Sequence, residues 1–222
     1  MYFNILSFMN NKFLSISRQA ILSTVCLMVL CGFIFPYLMT GLAKVLFPAQ
    51  ASGSLIKYQG KTIGAEYVGQ EFTKDYFMWS RPSAYHYNVY VEKADGSKVY
   101  NDGSDFAGLS SGSNNYAPTN PALVERVKND MQKFLIANPH LSAVDIPTDL
   151  LTASGSGLDP HISPESATVQ IPRIAAASGL SKAQVEKIVA ENTDEKVLGV
   201  FGERVVNVLK VNAAIAEKLQ VK

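Results

Sequence analysis

Apolar positions fill one stretch of this chain and are spaced periodically through the rest. From Gln19 to Ala43 no charged side chain occurs. About 20 apolar residues carry a helix across the hydrocarbon of a bilayer. The run therefore predicts one spanning helix from about Arg18 to Phe47, ended by Pro48. Pro36, Gly32 and Gly41 suit a soluble helix poorly but are tolerated in a membrane one. Downstream, Asn120 can cap and Pro121 can start a helix reaching about Ala137, with Leu123, Val124, Val127, Met131, Phe134 and Leu135 at helical spacing. Ser163-Pro164 opens a second helical stretch that Pro172 must kink or break. Ser181 with Gln184 makes a capping box for a third. The last segment, from about Glu203 to Leu219, sets Val205, Val208, Leu209, Asn212, Ile215 and Leu219 on one side of a helix. Residues 49–120 are rich in Gly, Ser, Tyr and Asn and predict irregular loops with a few short strands, among them Tyr87–Val91. Together these elements predict an N-terminal segment (1–17), a transmembrane helix (18–47) and a compact α+β domain (48–222).

Charge sharpens the division. The 222 residues hold 20 Lys and Arg against 19 Asp and Glu, so no global basic field exists to hold a nucleic acid. The first 48 residues carry Lys12, Arg18 and Lys44 and no acid. Lys12 and Arg18 precede the apolar run and Lys44 stands alone near its end. That bias puts the N-terminus in the cytoplasm and residues 49–222 outside. Ala49-Gln50-Ala51 also fits a signal-peptide cleavage site, which would release a secreted binding module after Ala51. A signal peptide's apolar core spans only about 7–15 residues, however, and this run is far longer. Leu30 is too bulky before Cys31 for a lipoprotein anchor, and Cys26 and Cys31 read as small packing or lipid-facing side chains. No cysteine follows Cys31, so the domain folds without disulfides. Gly32 and Gly41, with Ser23 and Thr24, suit close packing on a partner helix.

Motifs with chemical content are few. Gly108-Leu109-Ser110-Ser111-Gly112 matches a hydrolase elbow, but Asn101-Asp102-Gly103-Ser104-Asp105 before it is a turn and not the required strand. Ala175, Gly179 and Val185 have helix-turn-helix spacing, yet the second helix mixes Lys182 and Lys187 with Glu186 and Glu191, which suits packing better than DNA. The densest run is Thr152-Ala153-Ser154-Gly155-Ser156-Gly157-Leu158-Asp159-Pro160-His161-Ile162-Ser163-Pro164. Its Gly/Ser loop could offer backbone N–H groups to a phosphate, with Ser154 and Ser156 in contact, although the Lys of a P-loop is missing. Asp159 and His161 could be two metal ligands, but His86 and His140 lack ligand spacing and structural zinc wants four. The plainer expectation is a rigid turn in which Asp159, His161 and the hydroxyls satisfy backbone groups. No catalytic centre emerges.

The wording of the loops carries more than their chemistry. Gly53-Ser54-Leu55-Ile56, Phe77 through Arg81-Pro82-Ser83-Ala84, Pro118-Thr119-Asn120-Pro121, the Thr152–Pro164 run and Asn207-Val208-Leu209 follow in this order behind one apolar helix. From about Arg18 onward the chain resembles the C subunit of the bacterial Kdp potassium-transporting ATPase, the KdpC family. It departs from the family at Ser110–Pro118, in the proline missing after Glu203, and in its first dozen or so residues, which look like an extension. The resemblance implies a non-catalytic accessory subunit of an ATP-driven potassium importer in a bacterial plasma (inner) membrane. Its partners are then a channel-like potassium-binding subunit, a P-type ATPase subunit that forms the aspartyl phosphate, and a small single-helix subunit. The family is described as a catalytic chaperone that raises the ATP affinity of the ATPase subunit, which implies ATP as a ligand and Ser154, Ser156 and Gln170 as nucleotide candidates. That role sits uneasily with a domain outside the cell, because ATP is cytoplasmic.

Overall fold

In the computed structural model, which describes residues 2–220, the chain divides after Ser54 into two units. The first is helical. Helix α1 (Tyr2–Val29) runs through a π turn (Leu30–Ile34) into α2 (Phe35–Leu46), and α3 (Pro48–Ala51) follows. The segment Phe13–Leu46 is long and apolar enough to cross a membrane. The helix begins well before Arg18, because nothing from Tyr2 onward breaks it. The π turn has a local cause. Pro36 has no N–H, and its ring would crowd the carbonyl four residues back. The turn before it widens instead, with Phe35 N–H bonded to Leu30 O.

The second unit mixes short strands with helices. Strands β1 (Leu55–Tyr58) and β2 (Lys61–Ala65) form a hairpin. Gln59 and Gly60 take its turn at φ 48° and 77°, the two left-handed positions that a tight hairpin demands. Strands β3 (Val91–Glu92) and β4 (Lys98–Val99) make a second hairpin. Helix α4 (Pro121–Ala137) starts where expected, the Asn120 side chain accepting from Ala122 N–H. Strand β5 (His161–Ile162) leads to α5 (Pro164–Thr168), and Pro172 starts α6 (Ile171–Ser178) after a break. Gly179 ends α6 in a left-handed cap, and the Ser181/Gln184 box opens α7 (Lys182–Glu191).

The C-terminal segment departs from the helix expected over 203–219. Val205–Asn207 is a strand, β7, central in an antiparallel sheet between β5 and β6 (Thr193–Asp194). Helix α8 (Val208–Leu219) begins only after it, capped by Asn207, whose side chain accepts from Lys210 N–H. Tyr87–Val91 departs too: His86, Tyr87 and Asn88 form a left-handed turn at φ 47°, 54° and 58°, and only Val91 enters a strand.

The core gathers Ile162, Ile171, Ile174, Val185, Ile188, Val206, Val211 and Ile215, with Met78 fully buried among them. Met78 belongs to a long stretch, residues 66–81, without regular structure. Its buried backbone groups still need partners, and side chains supply them. Asn212 brackets Met78, accepting from its N–H at 2.7 Å and donating to its carbonyl at 2.9 Å. Gln170 does the same for Trp79. Arg173 donates to the carbonyls of Asp75 and Phe77, and Asn207 to that of Glu66. Four buried polar side chains thus stand in for a neighbouring strand.

Candidate functional site

The Thr152–Pro164 run is the point where distant parts of the domain meet. Arg81 Nη1 donates to Asp159 Oδ2 at 2.7 Å, and its Nε to Thr152 O at 3.3 Å. Asp159 Oδ1 accepts from His161 N–H at 3.0 Å. The Tyr87 hydroxyl lies 3.0 Å from Arg81 O and 3.2 Å from Asp159 O, and burial pushes that phenol well above its usual range. Ser83 Oγ donates to Gly157 O at 2.7 Å, while Gly69 N–H bonds to Leu158 O and Val208 N–H to Pro160 O. On the other side Gly112 N–H and Ser111 Oγ both donate to Ser156 O, at 2.7 and 3.0 Å. The Asp149 carboxylate closes the end of the run, accepting from Ser163 N–H and Oγ and from Ser166 Oγ.

Asp159 therefore holds backbone and an arginine, as a rigid turn requires. His161 does not. Its Nδ1 stands 3.8 Å from Asp159 Oδ1, and its buried Nε2 meets no partner among the described residues. Its contribution is backbone pairing with Asn207 across β5 and β7. Arg81, Asp159, His161 and Asn207 are brought together, Pro82 lines the larger cleft instead, and Asn120 and Pro121 serve α4. Ser154 and Ser156 lie in one shallow depression with Arg81, Asp159 and Tyr67. Their hydroxyls are 3.4 Å apart, and that of Ser156 accepts from Leu158 N–H. Gln170 lines neither this depression nor the larger cleft, and its amide is taken by Trp79, Ser166 and Arg173. Among the described residues no three metal-ligating side chains converge on one point. Ser110 sits in irregular chain, pinned by Asn88 through its N–H and carbonyl.

A cleft of about 590 Å³ opens beside the run. Trp79, Arg81 and Tyr87 form one wall, Ser113–Tyr116 another, and the Arg126–Phe134 side of α4 the third. Arg126 pairs with Asp130 at 2.7 Å and donates to Leu151 O, which fixes α4 to the start of the run. Burial raises the Asp130 carboxyl above its usual value.

Sequence reasoning missed the cluster at the mouth of this cleft. His86 Nδ1 lies 2.9 Å from Glu71 Oε1 and its Nε2 3.4 Å from Asp102 Oδ2, while the ring stacks on Tyr100. Asn101 holds the second Glu71 oxygen at 2.7 Å. The hydrogen bond to Glu71 raises the imidazole's pKa, against opposing burial. A raised folded value means stability that is complete below the unfolded value of 6.5 and lost as pH climbs through the folded one. The native chain should therefore lose melting temperature relative to His86→Asn, which tolerates the left-handed turn, as pH rises above 6.5. Parallel curves for the two proteins would remove the ion pair from the account.

Comparison with known proteins bears on the whole arrangement. The family described as KdpC, the K+-transporting ATPase c chain, matches residues 17–217. The Potassium-transporting ATPase KdpC subunit of Clostridium kluyveri is 53% identical over 91% of this chain and 93% of its own length. That of Clostridioides difficile is 48% identical over 91% and 97%, and that of Caldanaerobacter subterraneus subsp. tengcongensis 41% over 91% and 95%.

Proposed function

Because the chain belongs to the KdpC family, we propose that it is a non-catalytic accessory subunit of an ATP-driven potassium import complex. Family membership carries the assignment. In this reading the subunit crosses the plasma membrane once and packs its domain over the potassium entrance. It assembles with a channel-like potassium-binding subunit, a P-type ATPase subunit that performs the phosphoryl chemistry, and a small single-helix subunit. Gly32 and Gly41 leave open space beside the helix, with nothing within 4 Å of an added Cβ at either, which suits a closely packed partner helix.

Orientation rests on Lys12 and Arg18 before the apolar segment against Lys44 alone at its end. With the domain outside, an effect on ATP affinity runs indirectly, through the membrane helices to the ATPase subunit. The commitment of the Gln170 amide to Trp79, Ser166 and Arg173 supports that indirect route. Protease added to intact spheroplasts should cut the domain and leave the N-terminal helix protected. Cleavage only in inverted vesicles would reverse the orientation and make a direct nucleotide role the better reading.

A further inference from the structure

The loop between β6 and β7 ends in Val197-Leu198-Gly199-Val200-Phe201, whose four large side chains are 67, 85, 73 and 65% exposed. Single exposed apolar residues are ordinary on a protein surface. Four in five consecutive positions form an apolar patch of the kind that marks an interaction surface. Two observations point to lipid as the partner, and a third bounds how far the start of the domain can stand from the apolar helix.

The first is shape. Val197 and Phe201 pair across the turn, each N–H bonded to the other's carbonyl at 2.9 and 3.0 Å, so their side chains share one face of the hairpin. Leu198 and Val200 crown the tip, and the knob is apolar around its circumference. A protein groove wants one apolar face, whereas lipid surrounds what enters it. The second is partial backbone satisfaction. Gly199 N–H bonds to Lys196 O and Val200 N–H to Val197 O, so with the Val197–Phe201 pair most N–H groups of the tip are met within the hairpin, and its outermost carbonyls suit the hydrated headgroup layer rather than the hydrocarbon core. Its base is polar, with Arg204 paired to Glu195 at 2.8 Å and Lys196 beside them, long side chains that can keep their charges among headgroups. The third is reach. Residues 47–54 link the apolar helix to the domain and span at most about 30 Å fully extended. Helix α3 within the link shortens that reach further.

We propose that this hairpin tip dips into the surface of the bilayer that the N-terminal helix crosses, giving the domain a second, reversible membrane contact. The proposal rests on the spanning-helix reading above. It is tested on the full chain assembled with its companion subunits, in vesicles of ordinary phosphatidylcholine or phosphatidylcholine brominated on its acyl chains. Bromine quenches a tryptophan that touches it, and Trp79, the single native one, is subtracted using the parent complex. The added fluorescence of a Phe201→Trp variant should be largely lost in brominated vesicles, as should that of a Phe33→Trp variant, which reports the helix. Adding Leu198→Asp to the Phe201→Trp variant should restore the signal. Quenching of Phe33→Trp alone overturns the proposal, with blue-shifted hairpin emission pointing to a subunit groove and red-shifted emission to water. Loss of quenching in both variants overturns the spanning reading and the proposal with it.

Discussion

Arg173→Met should destabilise the soluble unit by about 3–5 kcal/mol, since each buried group left unpaired costs about 1–3 kcal/mol. Arg173 is only 7% exposed. Its Nη1 serves the carbonyls of Asp75 and Phe77, its Nη2 lies 2.7 Å from Gln170 Oε1, and its Nε lies 3.2 Å from Asn138 Oδ1. The guanidinium also lies over the Trp79 ring at 4.4 Å. Burial lowers its pKa to about 10, so it remains protonated at neutral pH, and the carbonyls and amides around it answer the charge. Methionine keeps most of the apolar stem and removes every donor. Relief of the desolvation cost offsets part of the loss, which keeps the figure below the sum over partners. Arg173→Lys should recover only part, because one ammonium cannot span acceptors arranged around a planar fork. Urea unfolding of the full chain in detergent, followed by Trp79 fluorescence, measures both variants. A shift under about 1 kcal/mol for the methionine variant would mean that the irregular stretch does not depend on this arginine.

That stretch marks the limit of what the sequence reveals about the fold. Helix starts were legible because caps are local: Asn120 before Pro121, Ser163 before Pro164, and Ser181 with Gln184 each bond within three residues. Val205–Asn207 reads as helix in the sequence because its apolar positions continue the periodicity of α8, and periodicity alone cannot tell a strand entering a helix from more helix. The β-branched Val205 and Val206, followed by a capping Asn207, were the available hint. The left-handed turn at His86–Asn88 had no local hint. Ser83 Oγ lies 3.1 Å from Tyr87 N, Asn88 binds Ser110, and His86 meets Glu71 and Asp102. Those long-range ties override the β propensity of the segment.

The site was legible in wording and opaque in geometry. The Thr152–Pro164 run stood out as a motif, yet its partners Arg81, Ser83 and Gly112 lie tens of residues away, and no spacing rule joins them. Gln170 looked like a nucleotide candidate only through the family's description. Its neighbours Ile171 and Ile174 are core residues, and a polar residue among them is more simply a buried hydrogen-bonding one. Asn212 carried the same signal openly, standing on the apolar stripe of α8.

The glycines of the run separate structure from phosphate chemistry. Gly155 and Gly157 look equivalent in sequence, and the fold makes them unlike. Gly157 sits at φ +67°, and a Cβ there would lie 2.5 Å from Gly112 O. The left-handed conformation alone costs a side chain about 1–2 kcal/mol. The overlap with fixed backbone also forces apart the bond from Gly112 N–H to Ser156 O. Gly157→Ala should therefore destabilise by about 2–4 kcal/mol in total, read as a lowered melting temperature of the full chain. Gly155 meets nothing within 4 Å and has no left-handed backbone. Gly155→Ala should be neutral, or slightly stabilising by restricting the unfolded chain. A phosphate cradle would reverse the ranking of interest, since the open glycine is where an anion could approach the backbone closely. In that case Gly155→Ala would leave melting unchanged and weaken ATP binding by the chain. The expected result is an intact Gly155→Ala protein, an unstable Gly157→Ala protein, and no ATP binding by the isolated chain for either change to weaken.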